Sequence, residues 1–328
     1  GAAGIGGRGV AVSVLAGLHG RRAWAMLSLP DGTRVRFPLL GAEVSARRGA
    51  VSTMPLSQHI GASDTIERYE TQVFTLVLPV PRWGWSNTHH PANVAHPAFR
   101  AWFTYRRDAV ATPCDLYVVT GHGVTHKLVN ATPVRFSVAV AKNQPLTVTI
   151  DGHAVNRVSA PAPTEWLEWN YRPELLSYRD IRPLWRNPET GQWGAFPAAV
   201  YAMHMVYTRQ TLVDTRVSAN GLDAVFGATT RFLVGQEHAR WIVMFHPAQR
   251  PVQVAYPSMG IGLEIRMGSP DTQVMHLRYL SPRCIAINPA DIEIGQNPYL
   301  MRMAFQAQSV PDTFLPVVYP PIQTEVAP

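Results

Sequence analysis

The sequence predicts a mainly β protein, because polar and apolar residues alternate, turn residues are common and helical patterns are few. The alternation has the period of two that is typical of strands with one face on a core. It covers residues 72–80, 134–140, 146–150, 263–267, 274–280 and 300–305. The 28 prolines and 24 glycines are spread between apolar runs, which is typical of a strand-and-turn protein with long loops. Hydrophobic residues make up 46% of the chain, enough for a sizeable core.

Helical patterns are confined to two segments. Residues 92–106 are the best candidate, and residues 218–226 favour a short helical turn near an Asn-Gly pair. We therefore expect two tandem β-sandwich or β-barrel units with a short helix, long loops and an extended C-terminal arm.

A similar motif occurs in both halves of the chain. Asn143-Gln144-Pro145 precedes one alternating segment, and Gln296-Asn297-Pro298 precedes another. This predicts an internal duplication of a β unit of about 150 residues, with chance similarity of short β patterns as the alternative. The expected division is an N-terminal segment 1–34, a first β unit 35–158, a connector 159–194, a second β unit 195–308 and an extended arm 309–328.

The connector is rich in proline and tryptophan and has no clean periodicity, which predicts a long ordered loop. It contains Trp166, Trp169, Trp185 and Trp193. Large aromatic side chains in a loop pack against something, either another subunit or the sheet of their own chain. The sequence leaves both alternatives open.

Arginine dominates the basic residues. Lys127 and Lys142 are the only lysines among 29 basic residues, and the net charge is +7. Because the guanidinium is planar and suits interface ion pairs, one interpretation is extensive subunit interface. The other is a GC-biased genome that favours arginine codons. Basic residues form no dense block, which argues against sequence-specific DNA binding.

Histidines occur in two groups of the density that metal sites favour. His122 and His126 are four residues apart, but His122 stands between two glycines in a turn pattern with no acidic or cysteine partner nearby. The other group is His89, His90 and His96. Histidines in solvated loops explain both groups. Cys114 and Cys284 lie far apart without ligand spacing, so we expect neither a metal site nor a disulfide framework.

The nearest approach to a hydrolytic site is the carboxylate pair Glu165 and Glu168, which lies beside tryptophans. The same pattern is typical of an interface loop. Residues 4–9 match GxGxxG but lack the preceding strand that a dinucleotide site needs. We therefore expect no catalytic, cofactor-binding or metal-binding residues, and a protein that is not an enzyme.

No apolar run in the sequence approaches the length of about 18 residues that a membrane helix needs. Residues 10–18 faintly resemble a short signal peptide. Synthesis in the cytoplasm is the preferred interpretation.

The order of the motifs carries a resemblance to a known family. In the first half the similar residues are 96–103, 116–119, 129–140 and 144–152, and in the second half they are 213–222, 289–295 and 300–307. This order of a short helix, a strand pair and a closing Pro-strand-Gly pattern resembles siphophage tail tube proteins, the major tail tube proteins of long non-contractile-tailed bacteriophages. Residues 83–96 and 166–193 are insertions relative to that pattern.

The resemblance implies a structural virion protein without a cofactor. Members of the family stack as rings around a channel that carries double-stranded DNA from the capsid into the host. With two units in one chain, it implies self-assembly into trimers with pseudo-sixfold symmetry. It also implies tape measure, tail terminator and tip proteins as partners, non-specific passage of DNA, no membrane partner, and assembly in the host cytoplasm into the virion tail. The alternative is another phage or secreted β-sandwich protein that binds a carbohydrate or a receptor.

Channels in this family are usually acidic, whereas this chain has a net positive charge. A net charge does not locate charges, so an acidic lining remains compatible with arginines at the interfaces. Such a lining would draw on Asp151, Glu264, Asp291 and Glu293.

Overall fold

The structure is a computed structural model, and it describes residues 23–53, 64–80, 101–103, 109–119, 125–161, 175–215, 229–246, 259–267, 275–293, 300–308 and 317–319. Sixteen antiparallel strands dominate this part of the chain, which confirms the predicted mainly β class. They are β1 (Trp24–Ser28), β2 (Arg34–Pro38), β3 (Gly41–Thr53), β4 (Asp64–Pro79), β5 (Cys114–Val119), β6 (Thr125–Ala141), β7 (Thr147–Ala154), β8 (Asn156–Ser159), β9 (Ile181–Arg186), β10 (Trp193–Ala195), β11 (Val200–Thr215), β12 (Thr229–Phe245), β13 (Met259–Met267), β14 (Met275–Glu293), β15 (Leu300–Ala307) and β16 (Val317–Tyr319).

Half of these strands form a central sheet in the order β3-β4-β7-β6-β11-β12-β15-β14. Strand β7 shows why the sequence folds this way. Along β7, half-buried and buried residues alternate strictly, and Val148 and Ile150 are fully buried. Successive strand side chains point to opposite faces, and β-branched residues fit such a half-buried surface. The alternation therefore places one face of the sheet on a core.

Strand β6 belongs to two sheets. Its first half pairs with β5 and β8, and its second half pairs with β7 and β11. The change of partners falls next to Asn130, whose φ of 50° lies in the left-handed region that asparagine tolerates better than most residues. The Asn130 N–H donates to Oδ1 of Asp115 in β5 (3.1 Å). Beyond this point β6 continues into a first flanking sheet, β2-β1-β5-β6-β8.

Strand β14 has the same double role in the second half of the chain. Up to Cys284 it pairs with β13 and β16, and from Cys284 onwards it pairs with β15. A second flanking sheet results, with the order β10-β9-β13-β14-β16.

The pairing pattern of β1–β8 recurs in β9–β16. Each strand pair of the first half has a counterpart in the second half. In order, the first-half pairs are β1–β2, β1–β5, β3–β4, β4–β7, β5–β6, β6–β7 and β6–β8. Their counterparts, in the same order, are β9–β10, β9–β13, β11–β12, β12–β15, β13–β14, β14–β15 and β14–β16. Among the pairings between the described strands, only β6–β11 joins one half to the other, and an isolated bridge between Val110 and Leu233 of β12 adds a second link. Strands β7 and β15, which follow the two Pro motifs, hold the same place in this order.

One hydrophobic core lies between the central sheet and the flanking sheets, and both halves contribute to it. The rings of Phe136 in β6 and Tyr279 in β14 are 6.1 Å apart between centroids. The rings of Phe103 and of Tyr207 in β11 are 6.2 Å apart between centroids. Full burial of a large apolar side chain contributes about 1.5–3 kcal/mol relative to exposure. The two halves therefore stabilise each other.

Described elements also lie in the segments expected at the edges of the two units. The segment 1–34 contains β1, the connector 159–194 contains β9 and a 3-10 helix at Tyr178–Asp180, and the arm 309–328 contains β16, which pairs with β14. Residues 101–103 are helical, and the rest of the predicted helix 92–106 and the segment 218–226 lie outside the described residues. In the part of the chain that is described, no helix has the length and apolarity to cross a membrane.

Candidate functional site

The central sheet has one face on the core and one face turned away from it, which we call the open face. Residues opposite each other across antiparallel strands share a face. Thr75, Asp151 and Arg135 thus form one row across β4, β7 and β6. The charged residues of the open face with described side chains are Glu43, Arg47, Arg135, Asp151, Arg240 and Arg302, and Asp291 shares this face by its register position. The open face therefore carries both signs of charge.

Asp151 connects the strands of its row. Its Oδ1 accepts a hydrogen bond from Oγ1 of Thr75 (2.8 Å), and its Oδ2 lies 3.6 Å from Nη1 of Arg135. Because Arg135 is exposed, water screens this ion pair, which contributes at most about 1 kcal/mol. Its main effect is to offset part of the positive charge of the open face.

The three other acidic residues that were expected at a channel lining lie in two different places. Glu264 of β13 is 5% exposed, and its Oε2 accepts from Nε of Arg278 at 2.5 Å. It is therefore a buried, ion-paired residue of the second flanking sheet. Asp291 and Glu293 lie in the last part of β14, and Asp291 shares the open face by its register position opposite Arg302.

His204 lies on the open face, opposite Ala139 of β6 and Ile242 of β12. Burial, together with the positive charges of Arg135 and Arg302, lowers its pKa from 6.5 to about 4. A neutral imidazole avoids placing a third cation between two guanidinium groups. This part of the open face therefore gains charge only in acid.

The two halves of the chain meet at an internal junction, where residues 202–208 of β11 pair with residues 135–141 of β6. Arg209 follows directly and is 4% exposed. Its Nε donates to the carbonyl oxygen of Pro133 (2.5 Å), its Nη1 to the carbonyl oxygen of Phe103 (2.8 Å) and its Nη2 to Oγ1 of Thr132 (2.6 Å). A guanidinium has fixed donor directions, so these bonds define the register of the junction.

Two strand edges of the central sheet are unpaired within the described residues. β3 pairs only with β4, and residues 285–293 of β14 pair only with β15. These strands stand at the two ends of the central sheet. Leu40, directly before β3, is 50% exposed, and Ile285 and Ile287 of β14 are 44% and 38% exposed. An exposed edge beside apolar side chains is a template for pairing with another strand.

The edge of β3 matches the strand that forms the internal junction, because β3 and β11 hold the same place in the repeated pairing pattern. Arg48 of β3 stands opposite Glu70 of β4, as Arg209 of β11 stands opposite Glu237 of β12. The two halves therefore match in residue type as well as in topology at this position. Arg48 holds the register position of Arg209.

The edge of β14 matches β6, the other strand of the junction. Each strand has a register shift shortly after its change of partners, between Pro133 and Arg135 in β6 and between Ala286 and Asn288 in β14, and β14 has a second shift between Asn288 and Asp291. Aligning the first shift of each strand matches Pro133 with Ala286 and Thr132 with Ile285. Thr132 is fully buried at the internal junction, whereas Ile285 is 44% exposed. The same position is thus covered in one half and open in the other.

Most side chains weighed for chemistry from the sequence are not brought together. His126 is half-buried in β6, and His89, His90, His96, His122, Glu165 and Glu168 lie outside the described residues. Among the described residues there is no group of three or more His, Cys, Asp or Glu that could hold a metal ion. Cys114 and Cys284 are free and buried, and burial raises the pKa of both thiols to about 12.

Comparison of the chain with protein-family models gives no match, and a search of curated proteins gives no match either. The candidate site therefore rests on the open face, the internal junction and the two unpaired edges. Sequence reasoning had not singled out Arg209 or Arg48. The signal that could have found them is the combination of an Arg and a Glu on neighbouring strands in each half.

Proposed function

We propose that this chain is a structural virion protein, the major tail tube subunit of a long non-contractile-tailed bacteriophage. It self-assembles into stacked rings that form the channel for ejection of double-stranded DNA into the host. The observation that carries the proposal is the match between the internal junction and the two unpaired edges. The resemblance of the sequence to siphophage tail tube proteins supports the same assignment.

Ring formation follows from the position of the edges. A contact between the β3 edge of one copy and the β14 edge of the next is heterologous, and such contacts close into a ring or continue as a filament. Repetition of the internal geometry at this contact gives every unit an equivalent environment. We propose trimers, in which three chains supply six β units with pseudo-sixfold symmetry. Closure also removes the exposed edges, which are an aggregation hazard.

The open face suits the wall of a DNA channel. The flanking sheets cover the other face of the central sheet, so the open face is the side left for the lumen. Small and polar residues such as Ser137, Thr149 and Ala139 alternate there with a few arginines, of which Arg135 is paired with Asp151. Contacts with phosphates carry no sequence information, which agrees with non-specific passage of DNA.

Stacking of rings requires parts that extend beyond the central sheet. β7 pairs with β4 only from Gln72 onwards, so the earlier part of β4 pairs with β3 alone and forms a two-stranded ribbon. We propose that this ribbon contacts the next ring. The resemblance adds the tape measure protein inside the tube and the tail terminator and tip proteins at its ends.

Negative-stain microscopy of the purified chain over a range of concentrations tests the proposal. We expect rings or tubes, with three chains per ring by mass measurement. A dispersed monomer at high concentration contradicts the proposal. Binding of that monomer to a glycan array would instead support the carbohydrate-binding alternative.

A further inference from the structure

We propose that residues 254–257 of one copy of this chain add as a short strand to the open edge of β4 in a second copy. The β3–β4 ribbon of that copy is then held on both of its edges. This inference rests on the proposed function, since it concerns the contact between copies. It goes further by assigning a second contact at the same place and the segment that makes it.

The two halves of one chain already make a contact of this kind. Residues 109–111, which precede β5 in the first half, pair with β12 of the second half through the isolated bridge described above. The N–H of Ala111 donates to the carbonyl oxygen of Phe232 (2.9 Å). The N–H of Val234 donates to the carbonyl oxygen of Ala109 (2.7 Å). The first half therefore contributes a short strand to the second half.

Residues 109–111 cover the edge of β12 that faces away from β11. β15 pairs with β12 only from Arg240 onwards, so the earlier part of β12 extends beyond β15. The contact there is apolar as well as hydrogen-bonded, because Ala111, Phe232 and Val234 are buried in one cluster. With β6 along β11, the first half thus holds the β11–β12 pair on both edges.

The β3–β4 ribbon has the same shape but lacks this second contact. β3 and β4 hold the places of β11 and β12 in the repeated pairing pattern. β7 pairs with β4 only from Gln72 onwards, so residues 64–71 of β4 extend beyond β7 as β12 extends beyond β15. Within the described residues these positions pair with β3 alone. Their other edge can accept a strand by main-chain hydrogen bonds.

The sequence contains a counterpart of the bridging segment, which we call the V-A-x-P motif. Val110-Ala111-Thr112-Pro113 ends directly before β5, and Val254-Ala255-Tyr256-Pro257 ends one residue before β13. Three of the four residues are identical, and β5 and β13 correspond in the repeated pairing pattern. Proline has no N–H and cannot extend the pairing, so the motif gives a strand that is short in both halves.

The repeat also determines which copy receives the second motif. The first motif reaches the same neighbouring half that β6 meets at the internal junction. The strand that corresponds to β6 is β14, whose edge meets β3 of the next copy in the proposed ring. The second motif therefore reaches the first half of that same copy, where β14 lies along β3 and the motif lies along β4. The end of the ribbon that is far from the central sheet stays available to the next ring.

The first test compares proline substitutions at the two corresponding alanines. Ala255→Pro removes the N–H that the repeat assigns to the contact between copies. We expect the concentration at which rings form to rise about tenfold, with the melting temperature of the dispersed chain unchanged. Ala111→Pro removes the corresponding N–H within one chain, so it should lower the melting temperature by several degrees at any concentration.

Ala255→Ser is the matched control, because it changes the same residue but keeps the N–H; it should form rings as the unchanged chain does. A lower melting temperature of dispersed Ala255→Pro would show that the motif pairs within its own chain, which overturns the proposal. Ring formation by Ala255→Pro at the unchanged concentration also overturns it.

The second test identifies the partner strand. The photo-reactive residue p-benzoylphenylalanine in place of Tyr256 keeps an aromatic side chain beside the pairing residues. Rings assembled from ordinary and heavy-isotope-labelled chains should, on irradiation, give links from this position to residues 64–71. Mass spectrometry should find pairs of mixed label, because the link joins two copies. The same residue in place of Thr112 is the positive control, since it should link to the first part of β12 within one chain.

The outcomes separate this inference from the proposed function. Rings that form without links between the second motif and β4 overturn this inference and leave the tail tube proposal standing. Absence of rings at every concentration, with the link from position 112 to β12 intact, overturns both.

Discussion

Gly152 of β7 lies directly against the ring of Phe74 in β4. A Cβ at residue 152 would overlap Cζ of Phe74 and would stand 2.5 Å from the carbonyl oxygen of Thr132. The corresponding position in the second half is Phe305, which stands opposite Trp241. The two halves thus fill the same part of the core in different ways, and only the first requires a residue without a side chain.

This contact predicts that Gly152→Ala destabilises the chain. Neither the carbonyl nor the buried ring can move away cheaply, so the free energy of unfolding should fall by about 1–3 kcal/mol. Urea unfolding followed by tryptophan fluorescence measures the change. Gly41→Ala is the control, because no atom lies within 4 Å of its added Cβ. Equal stability of the two variants would contradict the packing described here.

The lowered pKa of His204 predicts that the folded chain is less stable in acid. Its folded pKa of about 4 lies below the ordinary value of 6.5, so the unfolded chain binds more protons between these values. Stability should therefore fall as pH drops below 6.5, until it levels near pH 4, by on the order of 2 kcal/mol. The difference in melting temperature between pH 7.5 and pH 4.5 should be smaller for His204→Asn than for the unchanged chain. His246→Asn, at an exposed histidine, should keep the full difference.

The ion pair between Glu264 and Arg278 gives a third prediction. Arg278→Ala leaves the carboxylate of Glu264 buried without this partner, which should cost about 3 kcal/mol of unfolding free energy. The double variant Glu264→Leu/Arg278→Leu removes both charges and should recover most of the loss. Calorimetry of the two variants checks this, and equal losses in both would show that the charge itself is not the cause.

The two thiols give a fourth prediction. Because burial raises the pKa of Cys114 and Cys284 to about 12, neither forms the reactive thiolate at ordinary pH. Ellman's reagent at pH 8 should leave both unmodified in the folded chain and label both in denaturant. Rapid labelling of the folded chain would contradict the burial of these residues.

The parts of the fold that the sequence predicts are those set by local alternation. Val148 and Ile150 alternate with threonines in β7, and the pattern alone places them on a core. β9 was missed because Pro183 interrupts the segment, and prolines are unusual inside paired strands. β16 was missed because three residues carry no period.

The candidate site was less predictable, since it depends on contacts between distant residues. Whether Glu264 faces water or a core depends on Arg278 in the neighbouring strand. The role of Arg209 depends on the carbonyl of Pro133, 76 residues away in sequence. No local pattern contains either relationship, and only the assembled sheet brings the groups together.

The internal junction also has a consequence for the kinetics with which the proposed ring would assemble. Because it connects two segments of one polypeptide, it forms as the chain folds, and its formation does not depend on protein concentration. In a ring of three chains, every second contact is then complete before any two molecules meet. When the ring forms, three chains lose translational and rotational freedom, whereas six separate half-length subunits would have to lose it. The fused chain should therefore nucleate rings at a lower concentration than separate half-length subunits with the same strand edges.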